Sequence, residues 1–399
     1  MTIHGKTLPE IFSLLPWPYK IVVVTAAAFL LFIIIYLPLR MVTSAKAPPP
    51  PAPITVSAGQ RTVFGVFDPS LVSDPNSRMV WMAYMSQEVV ADRPEASMMH
   101  VRLARASAAC ENWVQVTGGI DARSDEIIAP DGQSVFRTGT WRVETPSLVY
   151  DPGDTGREWK LFAYKYFWPN DPVHALQVAQ RYGMIVYRTA TDPAGTWSNE
   201  QWLFSPSADY PPPPYEQMIL LHLDRLSPAL KDVVTYSRPS VIAHDGQLFM
   251  TLSAFTGGNA PDRVILVASR DHGNSWRYIG APLTRRDVAS FGPYTHLSGA
   301  SLVKQGDRVL MTAALGDAEM MGRGTAVFSF DDINTGKLVS DTRGVPVVVQ
   351  SLPLNGATHG PLGGGIAGYT DDCAQGLFVG EQTGEGLRIY KTYKKPAGK

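Results

Sequence analysis

Phe67-Asp-Pro-Ser-Leu-Val72, Glu144-Thr-Pro-Ser-Leu-Val149 and Ser237-Arg-Pro-Ser-Val-Ile242 are three copies of one element, and reading them decides the fold. Weaker copies are Ser298-Gly-Ala-Ser-Leu-Val303 and His359-Gly-Pro-Leu-Gly-Gly364. After a polar turn, each copy is followed by an apolar strand: 79–84, 159–164, 247–252, 308–313 and 376–380. A third strand follows each time, at 101–104, 184–187, 264–267, 326–329 and 387–390. Short runs of β-branched and aromatic residues bounded by Gly, Pro, Asp and Asn read as antiparallel meanders. A proline at the start of a first strand is tolerated because that position need not donate to the ladder. Taking Pro239, Ala300 and Pro361 as reference, the last three copies lie 61 residues apart. Longer early intervals mark 170–180 and 205–234 as insertions. Five meanders in series cannot each bury two faces alone, so the expected fold is all-β, a five-bladed propeller.

A second repeated signal closes the third strand. Ser269-Arg-Asp-His-Gly-Asn-Ser-Trp276 has the Ser-x-Asp-x-Gly-x-Ser-Trp pattern of an Asp-box, and Thr191-Asp-Pro-Ala-Gly-Thr-Trp197 is a variant of it. The Asp closes the turn with its side chain, the Gly supplies left-handed backbone, and the Trp packs back on the sheet. Asp271 and Asp192 therefore have structural roles.

Outside the repeat the chain has other features. Its 399 residues carry 35 basic and 36 acidic side chains, so no electrostatic footprint for nucleic acid is present. Two cysteines, Cys110 and Cys373, build neither a zinc cluster nor a disulfide-rich scaffold. In a propeller, however, their turns fall on one face of the adjoining first and fifth blades, where a disulfide in an oxidising compartment would fasten the ring. Residues 21–39 are uncharged and, as a helix, span roughly 28 Å, enough to cross a bilayer. A polyproline spacer follows at 47–53. The expected organisation is a tail over 1–19, a single transmembrane helix over 20–40, a Pro-rich linker over 41–56 and a propeller over 57–399. The tail is assigned to the cytoplasm and the propeller to the extracytoplasmic side.

The Asp-Pro-Ser and Glu-x-Pro-Ser openings, with the Thr-Asp-Pro-x-Gly-x-Trp turn, resemble the five-bladed propeller glycosidases of glycoside hydrolase families 43 and 32. The likeness covers roughly residues 60–395. It implies a central funnel at the starts of the inner strands, with carbohydrate as the partner. Asp68 matches the blade-one base or nucleophile, and Glu144 matches a blade-two carboxylate one position earlier relative to its proline. His359-Gly360 resembles the blade-five His beside which some members hold a metal ion, here Ca2+; no other cofactor is implied. Where the group supplies a general-acid Glu on blade three, this chain has Arg238. A guanidinium there is expected to keep both carboxylates ionised, which leaves the acid to Asp224, Asp317, Glu319 or Glu381. Tyr166 and Trp168 are candidates for stacking on sugar rings, and Arg238 and His359 for holding substrate.

Each assignment has a structural counterpart. Asp68 before Pro69 also reads as a turn residue, Glu144 as the partner of a surface Arg142, His359 as a packed turn histidine, and Tyr166 and Trp168 as core. Tyr210-Pro-Pro-Pro-Pro-Tyr215 reads as a rim loop. Two functions stay open: a membrane-anchored glycoside hydrolase, and a non-catalytic carbohydrate-binding or scaffold propeller of a cell-envelope complex.

Overall fold

The computed structural model describes residues 52–392 apart from 64, 91–92, 129–134, 172–174, 206–218, 259, 293, 318–321, 353–366, 374–375 and 385, together with 2–3, 6–7, 13 and 16–17. Residues 1–49 and 50–399 form separate compact units. In the first, Thr2–Ile3 and Lys6–Thr7 pair antiparallel. The apolar segment 21–39 and the charged residues flanking it lie outside the described residues. Among the described residues no helix is long and apolar enough to cross a membrane.

The second unit is a five-bladed propeller of antiparallel meanders. The inner strands are Val66–Ser73, Val135–Tyr150, Thr235–His244, His296–Gln305 and Ala367–Gly368. Second strands follow at Met79–Val90, Trp159–Pro169, Gln247–Phe255, Arg308–Gly316 and Phe378–Thr383, as the repeat predicts. Third strands are Arg93–Ser107, Gly183–Ala190, Arg263–Ser269, Gly322–Asp332 and Gly386–Lys391. Blade two carries the insertions, with a helix at Ala175–Arg181 and an extra strand at Ile219–His222.

The strands are buried on both faces, and alternate side chains serve opposite neighbours. On blade two, Leu161, Ala163 and Phe167 pack against blade one, while Phe162, Tyr164 and Tyr166 pack against blade three. Similar apolar layers join blades three and four, four and five, and five and one. A blade therefore has no core of its own: the core consists of the layers between blades.

The repeated Pro-Ser has two causes visible in the register. Between Phe67 and Ser70, Glu144 and Ser147, and Ser237 and Ser240, two residues face one on the second strand, which is a β-bulge. Proline occupies the second bulge position, where no ladder hydrogen bond is lost. It therefore lies inside the inner strand rather than at its start. The serine that follows joins the next blade. Leu148 N–H donates to Ser70 Oγ at 2.9 Å, Val241 N–H to Ser147 Oγ at 2.7 Å, and Leu302 N–H to Ser240 Oγ at 2.8 Å. On blade four, Ser301 Oγ donates to the carbonyl of Ala367 at 2.7 Å. This bond puts Ala367 in register with Leu71, Leu148, Val241 and Leu302, four residues later than the 61-residue spacing implies.

The ring closes between blades five and one. Ala52–Pro53, inside the expected linker, pairs with Gly386–Lys391 as the edge strand of blade five. Cys110 and Cys373 form a disulfide, and Ser73 hydrogen-bonds Thr370 across the same junction. The Asp-box is formed as expected: Asp271 Oδ1 accepts from Ser275 N–H and Ser269 O–H, both at 2.8 Å, and Trp276 Nε1 donates to Gly273 O at 3.0 Å.

Candidate functional site

The bulges build the site. At the residue before proline the backbone turns left-handed in three successive blades, with φ of 49° at Asp68, 48° at Thr145 and 55° at Arg238. Such conformations are rare outside glycine and rarer still for a β-branched threonine, so the surrounding strands must hold them. The rank reads acid, hydroxyl, guanidinium; on blade four the residue before Ala300 is Gly299. Asp68, Pro146 and Pro239 all line one central channel of about 430 Å3, so inner-strand residues far apart in sequence do converge.

Asp68 is buried and belongs to the channel wall. A Cβ on Gly380 of blade five would sit 3.2 Å from its backbone nitrogen, so that strand approaches closely because it has no side chain there. Glu144 stands one residue above Thr145, the true equivalent of Asp68, and keeps part of its surface accessible. Tyr166 Oη lies 3.4 Å from Glu144 Oε2 and 3.5 Å from Met99 Sδ of blade one. Burial raises the Glu144 carboxyl above the usual range, outweighing the opposing charges of Arg238 and Arg142. Arg238 does favour the charged form of Glu144, as expected, but burial acts in the opposite sense and sets the net direction. Low local dielectric opposes the charge more strongly than two neighbouring guanidiniums favour it.

Arg238 is half-buried, and its Nη1 donates to Ser298 Oγ of blade four at 2.9 Å. Its side chain crosses Gly299, where an added Cβ would fall 2.5 Å from Cδ and 2.7 Å from Nη1. Arg142, read from sequence as a surface partner, is buried with its guanidinium 4.6 Å from the Trp168 ring centre. Tyr166 is also buried. It stacks on Tyr164 at 5.1 Å between centroids, so it meets the site through its hydroxyl rather than its ring face. Burial and the Glu144 charge hold that hydroxyl well above the usual phenol range, hence protonated. Trp168 keeps accessible surface beside Arg142.

The other candidates divide. Asp317 is ion-paired with Arg323. Asp224 lies on a 3-10 turn beside Tyr236. Glu381 is fully buried on the second strand of blade five, next to Gly380. His359, with the calcium expected beside it, Glu319 and the Tyr210–Tyr215 loop lie outside the described residues. Among the described residues no cluster of three or more His, Cys, Asp or Glu is arranged to hold a metal. Sequence reasoning missed Gly299 and the buried role of Arg142. The Gly in Ser298-Gly-Ala-Ser was the available signal for the first.

No protein family matches the sequence, and no curated protein does. Among solved structures, the chain path is similar to an α-L-arabinanase of Penicillium chrysogenum complexed with arabinobiose, at 12% identity over 88% of this chain and 85% of that one, with a TM-score of 0.41. It is similar to a glycosyl hydrolase from Bacteroides ovatus at 8% identity, over 89% and 94%, with a TM-score of 0.45. A family 32 β-fructofuranosidase of Bombyx mori aligns at 10% identity, over 86% of this chain and 61% of that one, with a TM-score of 0.47.

Proposed function

We propose that the propeller is a glycoside hydrolase in which Glu144 is the general acid and Asp68 the base or nucleophile. The observation that supports this reading is that adjacent inner strands carry Asp68 on the channel wall and, one residue before the same rank, Glu144 beside Arg238, Arg142 and Tyr166, so the two carboxyls stand in different surroundings. Glycoside cleavage requires one group to protonate the leaving oxygen while the other activates water or attacks the sugar carbon. Glu144, which burial raises against the opposing pull of Arg238, Arg142 and the Tyr166 hydroxyl, suits the first role. Trp168 offers an aromatic surface at the rim. The apolar segment 20–40 anchors the chain in a membrane with the propeller outside the cytoplasm, a placement that suits the Cys110–Cys373 disulfide.

The second reading is a carbohydrate-binding or scaffold propeller without turnover, favoured by Arg238 at the blade-three rank. The test is to assay the 50–399 fragment, which keeps the edge strand Ala52–Pro53, against arabinan, xylan, fructan and acidic glycans, with Asp68→Asn and Glu144→Gln as controls. Turnover lost in both variants supports the enzyme. Binding without turnover in the parent selects the second reading. Absence of any binding rejects both.

A further inference from the structure

Arg238 points to the chemistry of the ligand. Among the described residues it is the one cation at the left-handed rank of the inner strands, half-buried and followed by Pro239 of the channel wall. Two features of the fold position it. Gly299 leaves the space its side chain crosses, and Ser298 fixes one nitrogen at 2.9 Å. A guanidinium has five N–H groups in a planar fork. Ser298 is neutral and takes one of them. Among the described residues no carboxylate oxygen reaches ion-pair distance of this guanidinium, and Glu144 acts on it only through space. A half-buried guanidinium with donors left over is a ready partner for an anion.

We propose that the sugar unit bound at the floor of the funnel is anionic, carrying a carboxylate or sulfate that pairs with the fork of Arg238. This rests on the glycan-binding reading above and adds the charge of the ligand. Planar bidentate pairing is the geometry in which arginine is most selective, and it discriminates an acid from its ester more strongly than any single neutral hydrogen bond.

The full-length chain in detergent micelles is titrated calorimetrically with oligomers of galacturonate, mannuronate and glucuronate. Their methyl esters, a sulfated chondroitin oligosaccharide and neutral arabino-oligosaccharides complete the panel. At least one acidic oligomer is expected to bind tenfold or more tighter than its neutral counterpart, with affinity falling as salt rises. Arg238→Gln is expected to erase that preference, and Arg238→Lys to restore part of it. Gly299→Ala is expected to reproduce the loss without altering the arginine, because its Cβ displaces the guanidinium. Melting temperatures of the variants verify that each is folded. Preference for carboxylated over sulfated oligomers, or the reverse, identifies the acid. Equal binding of acids and neutral counterparts overturns the charge assignment and leaves the glycan reading standing. Failure of every sugar to bind overturns both.

Discussion

Asp68, Thr145 and Arg238 share backbone geometry and differ only in side-chain chemistry. The bulge thus sets direction, and each blade chooses what to present. Asn tolerates left-handed backbone as Asp does, so Asp68→Asn should leave the melting temperature unchanged while turnover falls at least a hundredfold. Thr145→Gly removes about 1–3 kcal/mol of strain at a cost of about 1 kcal/mol in chain entropy. Its urea midpoint should stay level or rise; a clear fall would show that the threonine side chain carries structure. The folded Glu144 carboxyl titrates above its ordinary value of 4.5, because burial disfavours its charge. The stability linked to it is fully present below pH 4.5 and is lost as pH rises through the raised value. Glu144→Gln should therefore gain melting temperature over the parent as pH climbs through the raised value. Parallel melting curves for the two proteins across that range would contradict the raised carboxyl.

At the scale of the element, the inner strand joins blades as well as supplying the site. Ser147 accepts from Val241 N–H at 2.7 Å in a buried setting, and no solvent replaces that contact when the hydroxyl is removed. Ser147→Ala should cost about 1–3 kcal/mol, the penalty for an unsatisfied buried donor. Ser240→Ala should behave alike through Leu302. Urea unfolding followed by tryptophan fluorescence measures both, and a shift close to zero would mean that the serine bonds are incidental. The repeat's most recurrent residues, Pro and Ser, thus record bulge and blade contact. The chemistry sits in the more variable positions immediately before them.

The whole molecule depends on ring closure. Every apolar layer lies between two blades, so a gap between blades five and one exposes the layer that contains Trp113 and Phe378. Links across that gap include the edge strand Ala52–Pro53, the Ser73–Thr370 hydrogen bond, Lys391 Nζ donating to the carbonyls of Ala109 and Cys110, and the Cys110–Cys373 disulfide across 263 residues. In the chain-entropy account a loop of that length is stabilised by about 4–6 kcal/mol, and measured values are commonly 2–4. Cys110→Ser with Cys373→Ser should lower stability by about 2–5 kcal/mol and open blade five first, seen as faster hydrogen exchange over 378–391 than over 247–269. Uniform exchange in both segments would place the weak point elsewhere.

Local signals were enough to read the meander order, the Asp-box and the strand centres. Each depends on residues adjacent in the chain: alternating apolar side chains, a turn closed by its own aspartate, a proline that cannot donate. The shared rank of Asp68 was legible for the same reason. The position of Cys110 and Cys373 followed once five blades were counted. What sequence could not supply came from contacts between blades. The fifth copy is displaced by four residues, because Ala367 is placed by Ser301 and not by spacing along the chain. Arg142 is buried and not on the surface, because the Trp168 ring covers it. The Glu144 carboxyl is raised and not lowered, because desolvation sums over every neighbouring strand while sequence displays only the nearest charges. Period and turn chemistry are properties of short segments, so the sequence by itself determined the kind of fold and which residues were candidates. Burial and convergence are properties of packed neighbours distant in sequence, so only the tertiary structure decided which candidates are buried, which lies on the channel wall and what surrounds each carboxyl.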